Sequence, residues 1–502
     1  MKDKAPSFSK LAFTGGVTSY LGTFLTALFS FFILQVLVHR LPVEMFGLYS
    51  LVVATFIFFS LALNWGIPYV VIRFLSEYIE TGQWGKVKKL ILRGYLLLLP
   101  GFVLLMLASG PVYRLLAHWL RSPDLLHYAL FILLLSFLRV NVQVSEGALN
   151  AFLLRSYVVG WATVMLGVRL FLFCLALRRS ADLAFLLSIW CITEFVLLVA
   201  YVSRLSFLLI GRRSQGPVSL DRGIFAFGLS GYLNNFLYFF LDTRIDLYVV
   251  GHFLSRAMVG WYAFATQLTN ILYTFSPSSV LKSVIAPLFT RQYVRTKSLE
   301  EQKFLFQMNC KFQAFILFPV FAVSVVLMPS IVSLFFHRDY LASLPAFWVL
   351  SGLGLIEVVG GPLSTLIWIL KKPDIFIKAS GITSAFWIGA SWVLTKKWGI
   401  LGTAAASGCS FILTFIFQRL LLEREVNVKI PWCSLATIAL HAALAGFSIF
   451  ALRNAASSPG RLVVLGITGV GIFLFFSYRK KVFNDEERSL LRRVFPIGAW
   501  IF

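Results

Sequence analysis

Leu41-Pro-Val-Glu-Met-Phe-Gly-Leu-Tyr49 recurs 213 residues later as Leu254-Ser-Arg-Ala-Met-Val-Gly-Trp-Tyr262, with Leu, Met, Gly and Tyr in register. Each copy lies between two apolar stretches and opens the second of them. That second stretch leads in both cases into a long basic connection, Arg73 to Arg93 and Arg291 to Lys311. Shared residues in a shared context point to an internal repeat. The connection Arg204 to Gly223, rich in Gly, Ser, Pro and Arg, is the natural boundary between its halves.

The apolar stretches around the repeat dominate the chain. Its 502 residues are 59% hydrophobic and 13% charged, with a mean hydropathy of +0.84, which excludes an ordinary soluble globular protein. At about 20 mostly apolar residues per span, the supply suffices for around fourteen membrane helices. Hydropathy places them near 15 to 38, 46 to 68, 94 to 112, 125 to 150, 157 to 177, 183 to 203, 224 to 250, 258 to 281, 310 to 328, 346 to 370, 376 to 395, 399 to 418, 432 to 452 and 462 to 478. The runs are continuously apolar, whereas a membrane β-barrel shows short alternating segments. The first run is too long for a signal peptide, lacks a small-residue cleavage site and is followed by more spans, so it reads as an uncleaved helix. Cys174, Cys191, Cys310, Cys409 and Cys433 form no C-x-x-C pair and read as small packing residues.

Charge then sets the orientation. Of 45 Lys and Arg, 31 fall on the side of the amino terminus, 11 on the other side and three inside spans. The positive-inside rule places both termini in the cytoplasm, in agreement with an even span count. The net charge of +24 is therefore a topology signal and gives no reason to invoke nucleic acid. Both repeat copies enter from the same side, so the repeats are parallel about an axis along the membrane normal, a transporter arrangement.

Several stretches together carry a family resemblance: Leu41 to Ser50, Asn64-Trp-Gly-Ile-Pro68, Arg73-Phe-Leu-Ser-Glu77-Tyr78, Asp242-Thr-Arg-Ile-Asp246 and Lys397-Trp-Gly-Ile-Leu-Gly-Thr-Ala404. Their ordered set resembles the polysaccharide transporter (Wzx-type O-antigen flippase) branch of the multidrug/oligosaccharidyl-lipid/polysaccharide flippase superfamily. The resemblance covers nearly the whole chain. It implies an all-α fold of two six-helix lobes around a central cavity, 1–210 and 211–425, with two extra helices and a basic tail in 426–502. It also implies alternating access in the inner membrane and an undecaprenyl-pyrophosphate-linked oligosaccharide as cargo, with glycan polymerase and assembly proteins as partners.

Ionisable residues inside spans are the candidate site, because each costs roughly 2.5 to 3.5 kcal/mol at a helix centre. Arg139, Glu146, Arg169, Glu194, Asp242, Arg244, Asp246 and Glu357 qualify. Arg139, Arg169 and Arg244 are the substrate-binding candidates, since guanidinium donors match phosphate geometry. Arg139 and Glu146 share a helix face two turns apart. Arg169, near mid-depth, either faces a cavity or pairs with Glu194 or a backbone carbonyl. Asp242 and Asp246 share a face one turn apart, with Arg244 pointing away unless the helix is broken. They read as an ion-coupling pair or as an interfacial cap. Glu146 and Glu357 are coupling or gating candidates, the latter beside Gly360, Gly361 and Pro362, which permit a kink. Pro68, Pro277 and Pro319 are further possible bends.

No P-loop, H-E-x-x-H or metal-spaced His/Cys group occurs, so neither cofactor nor metal is expected. Competing functions are a peptidoglycan lipid precursor flippase, a multidrug antiporter, or, in another class, a membrane O-antigen polymerase or ligase. The last typically needs a long periplasmic loop, and no connection on that side exceeds about twenty residues.

Overall fold

A computed structural model of the chain describes residues 8–179, 182–212, 223–239, 242–274, 299–370, 372, 374–423 and 426–494, and every regular element among them is a helix. In lipid no water is at hand to satisfy the amides of an apolar run, so each span closes its own hydrogen bonds. The helices are α1 (Phe8–Arg40), α2 (Val43–Asn64), α3 (Ile67–Glu80), α4 (Trp84–Trp119), α5 (Ala129–Ala151), α6 (Arg155–Arg179), α7 (Leu183–Leu209), α8 (Ile224–Phe239) and α9 (Thr243–Phe253). They continue as α10 (Arg256–Thr274), α11 (Leu299–Phe335), α12 (Leu344–Gly360), α13 (Pro362–Ile369), α14 (Asp374–Glu423), α15 (Trp432–Leu452), α16 (Pro459–Arg479) and α17 (Asp485–Val494). Among the described residues eleven helical stretches are long and apolar enough to cross a membrane. The chain is a multi-pass membrane protein.

All fourteen hydropathy runs fall on helix where they are described, but three are broken. The run 46 to 68 stops at Asn64, where Trp65 and Gly66 take left-handed φ of 45° and 74°. The Gly66 N–H donates to Asn64 Oδ1 at 3.1 Å, and a Cβ on Gly66 would lie 2.0 Å from the Gly228 carbonyl oxygen, so only glycine fits there. The bend precedes Pro68, which sits in the first turn of α3. The basic connection expected at 69 to 93 is itself largely helical. Its first part is amphipathic α3, which buries Ile67, Val70, Val71, Leu75 and Tyr78 at helical spacing. The second broken run divides into α8 and α9, and the third into α12 and α13 at Gly361. Pro319 lies inside α11, and Pro277 falls outside the described residues.

The 50-residue element α14 shows the opposite case. At 1.5 Å per residue it is about 75 Å long, more than twice a hydrocarbon core. Gly399, at φ 57° and ψ −138°, folds it into a hairpin. Thr395 Oγ1 meets Thr403 Oγ1 at 2.8 Å, Trp387 Nε1 donates to Ser407 Oγ at 3.0 Å, and Thr414 Oγ1 donates to Thr383 Oγ1 at 3.1 Å. These pairs join the two spans expected at 376 to 395 and 399 to 418.

The nine-residue repeat extends through the whole order of elements. Thirty-six-residue α4 and thirty-seven-residue α11 each contain two prolines. Each leads into a six-residue 3-10 turn, Pro123–Tyr128 or Arg338–Ser343, and then into α5 or α12. The α6–α7 hairpin corresponds in place to the α14 hairpin. At the motif itself the packing is reciprocal: a Cβ on Gly47 would lie 2.3 Å from Arg256 O, and one on Gly260 would lie 2.4 Å from Val43 O. Val43 and Gly47 match Arg256 and Gly260 across the repeat, so the contact has two-fold character. Glycine here lets two backbones approach as side chains would not.

By internal packing the chain divides into compact units Met1–Ala263 and Phe264–Phe502. In the second, Lys311 Nζ bonds Glu487 Oε1 at 2.8 Å, with the side chains 7% and 3% exposed. Lys311 is thus a buried ion-pair partner that ties α17 to α11, although in the sequence it reads as a charge of the connection.

Gly47→Ala and Gly260→Ala are each expected to cost about 1 to 3 kcal/mol through overpacking, seen as a lower Tm in detergent. Gly160→Ala, where a Cβ meets nothing within 4 Å, leaves Tm unchanged or raised.

Candidate functional site

Three of the intramembrane charges meet. Helices α6 and α7 form a hairpin, with Arg169 ten residues before the end of α6 and Glu194 eleven residues after the start of α7. Arg139 lies ten residues into α5 from the same side. At 1.5 Å per residue all three sit about 15 Å in from that helix end. Arg169 Nη2 donates to Glu194 Oε1 at 3.1 Å and its Nε donates to Thr193 Oγ1 at 2.9 Å. Trp190 Nε1 donates to the same Glu194 oxygen at 3.2 Å, and the Arg169 guanidinium stands 4.7 Å from the Trp190 ring centroid. Trp190 is packed in turn against Phe56, edge-on at 5.1 Å, and Tyr49 at 6.2 Å. The last residue of the first repeat copy therefore buttresses the charged cluster.

The two arginines are not equivalent. Arg169 has an 11% exposed side chain and directs its hydrogen bonds to Thr193 and Glu194. Arg139 has a 40% exposed side chain and approaches Glu194 Oε2 only to 3.9 Å, beyond hydrogen-bond length. Glu194 Oε2 is buried and has no hydrogen-bond partner among the described residues. Two guanidiniums against one carboxylate leave one positive charge, and the exposed Arg139 carries it. Such a group can donate to an entering anion and return to Glu194 when the anion leaves. The attraction it gives up is at most on the order of 4 kcal/mol at an effective dielectric constant of about 20.

The remaining candidates lie apart. Asp242 caps α9, its Oδ1 accepting the Arg244 N–H at 2.9 Å, and its Oδ2 lies 3.3 Å from Arg244 Nη1. The break before α9 thus allows a pairing that a continuous helix would forbid. Asp246, one turn on, has a different partner: it is buried and accepts from Tyr262 OH at 2.5 Å. No described contact joins Arg244 to Arg139 or Arg169. Glu146 makes no hydrogen bond or ion pair among the described residues and is partly buried on the Arg139 helix. Glu357 is on α12, and its side chain lies outside the described residues. Among the described residues no three His, Cys, Asp or Glu are placed to hold a metal. Thr193 and Trp190 have no place in the sequence reading, and Tyr49 enters it only as part of the repeat. The equal depth of Arg139, Arg169 and Glu194 was the signal that could have gathered the cluster around them.

Comparison with known proteins adds a family and a fold. The profile of the family described as "Polysaccharide biosynthesis protein" matches residues 36–345. Among curated relatives, the "Probable low-salt glycan biosynthesis flippase Agl15" of Haloferax volcanii is 22% identical over 208 residues, 40% of this chain and 43% of the relative. The "Teichuronic acid biosynthesis protein TuaB" of Bacillus subtilis is 23% identical over 280 residues, 53% of this chain and 55% of the relative. The chain thus spans about half the length of the curated relatives it matches. Among solved structures, "Lipid II flippase MurJ, inward closed conformation" superposes with a TM-score of 0.73 at 13% identity, covering 93% of this chain and 100% of that one. An inward-facing multidrug resistance MATE family transporter of the MOP superfamily gives 0.64 at 13% identity, covering 79% and 95%. These likenesses show that the chain has this transporter fold.

Arg169→Leu alone, which leaves Glu194 only the loosely held Arg139 as counter-charge, is expected to cost about 3 kcal/mol, and Arg169→Leu/Glu194→Leu to recover most of it. Thermal unfolding of the purified variants measures both; equal losses in the single and double variants would contradict the pairing.

Proposed function

Because the chain belongs to the polysaccharide biosynthesis protein family, we propose that it is a flippase for an undecaprenyl-pyrophosphate-linked oligosaccharide, working by alternating access in the cytoplasmic membrane. The observation that carries this reading is Arg139, a half-exposed guanidinium about 15 Å deep whose counter-ion is held by another arginine. A pyrophosphate is a compact dianion with acceptor oxygens that suit a guanidinium. It outcompetes a single distant carboxylate for Arg139, and Glu194 recovers the arginine on release. The head group crosses on a fixed charge while the polyprenyl tail stays in lipid. The protein transports and makes no bond. A cationic drug would favour a site of the opposite sign.

In this reading 1–210 and 211–425 are the two lobes, as the repeated order of elements supports, and 426–502 adds two helices and the basic tail. Both termini are cytoplasmic, and glycan polymerase and assembly proteins act on the delivered lipid. Arg169 is a positioning residue that holds Glu194. Arg244, paired with Asp242, and the carboxylates Asp246, Glu146 and Glu357 are secondary candidates for substrate contact, coupling or gating.

In proteoliposomes the protein is expected to move a pyrophosphate-linked glycolipid between leaflets, and Arg139→Ala to reduce the rate tenfold or more while Tm holds, since its side chain is only loosely bound. Unchanged flipping in a folded Arg139→Ala protein would remove Arg139 from the path. Faster flipping of a peptidoglycan lipid precursor than of the oligosaccharide lipid would reassign the cargo within the superfamily.

A further inference from the structure

A second cationic site lies at the far end of α4, away from the cluster around Glu194. There a cavity of about 670 Å³ is lined by Arg114, His118, Trp119, Arg121, Leu126 and His252, among others, and by no carboxylate. The nearest acid in sequence, Asp124, is taken by Arg256 Nη1 at 2.5 Å. The side chains of Arg114, His118 and Arg121 make no hydrogen bond or ion pair among the described residues. This volume falls within the usual range of about 300 to 1,000 Å³ for small-ligand sites.

The cavity is built by two helix ends. Helix α4 closes with Arg121 N–H on His118 O at 3.2 Å and Ser122 N–H on Ala117 O at 2.9 Å. This is a C-terminal cap whose left-handed position is ordinarily glycine. Arg121 occupies it at φ 50°, a conformation that costs an L-residue stability. From the end of α9, His252 Nδ1 reaches Trp119 O at 2.8 Å, and its ring stacks on Trp119 at 4.7 Å. A carbonyl only accepts, so Nδ1 carries the proton, and protonation at Nε2 adds a second donor.

The sign of the field follows from counting. Two helix C-termini contribute about half a negative charge each, whereas two guanidiniums contribute two positive charges. The cavity is therefore positive before either histidine is protonated. Leu126, in its lining, is 41% exposed, and Leu115, next in the chain to Arg114, is 68% exposed, so apolar surface adjoins the charges. Anionic head group and apolar tail are thus accommodated side by side.

We propose that this cavity is a docking site for the pyrophosphate of a polyprenyl carrier lipid, holding the head group at the membrane face opposite the termini. The cationic site stands on the geometry above; the choice of carrier lipid over bulk phospholipid rests on the flippase reading. Guanidiniums at both the mid-membrane cluster and the exit give the head group two successive sites along its path.

Native mass spectrometry of the full chain in phosphatidylcholine nanodiscs, titrated with undecaprenyl pyrophosphate, tests the proposal. Arg114→Gln/Arg121→Gln is expected to weaken one binding event tenfold or more, an event that Arg139→Ala leaves in place and inorganic pyrophosphate competes for. Arg121→Gly, which suits the left-handed backbone, is expected to weaken the same event while Tm stays or rises, so a folding defect cannot mimic the result. Unchanged affinity in both variants, or equal displacement by phosphatidylglycerol, would overturn the proposal. Flipping that persists alongside such a failure would leave the proposed function standing, and loss of flipping with this binding intact would do the reverse.

Discussion

A carboxylate buried between two guanidiniums is the constraint on which the first half of the molecule turns. Burying Glu194 alone would cost several kcal/mol, and an ion pair in low dielectric repays this only with good geometry and further donors. Arg169, Thr193 and Trp190 supply that geometry, which fixes the relative depth of α6 and α7. Arg139 adds an uncompensated positive charge without being locked in place. The division of labour is physical: one arginine makes the carboxylate tolerable, and the other stays half-exposed with a weak claim on it.

The cluster is linked to the repeat through one aromatic stack. Tyr49 closes the first nine-residue motif and packs on Trp190, while Gly47 in the same motif meets Arg256 in its second copy. A helix crossing that needs glycine on both sides therefore lies within one turn of a residue that supports the charged centre. Tyr49, Trp190 and Glu194 thus form one continuous line of contacts from α2 to the charged centre. The broken spans belong to the same logic. Left-handed residues at Trp65 and Gly66, and the Asp242 cap, place helix ends inside apolar runs where their freed backbone groups find partners.

Hydropathy was a sound guide to where helix occurs, because amides in lipid have few alternatives. It could not find breaks such as Trp65-Gly66, where local backbone geometry ends a helix within continuously apolar sequence. It also read 69 to 93 as a connection, since α3 is amphipathic and its burial depends on neighbouring helices. The pairing of Arg169 with Glu194 was open in the sequence as one of two alternatives, and their matching distances from the facing ends of α6 and α7 could have favoured it. Arg244 was harder to place: on a continuous helix it points away from Asp242, and only the extended N-cap conformation of Asp242 brings them together. Lys311 misled for a related reason, because its burial against Glu487 depends on a helix 176 positions away.

The most direct test of a shared arginine is the affinity of Glu194→Gln for undecaprenyl pyrophosphate. This isosteric change keeps an acceptor for Arg169 and removes the negative charge that competes for Arg139. The account expects tighter head-group binding than in the native chain, by about tenfold for each 1.4 kcal/mol of competition removed, with the gain abolished when Arg139→Ala is added. Equal or weaker binding in folded Glu194→Gln protein, or a gain that survives the loss of Arg139, would contradict it.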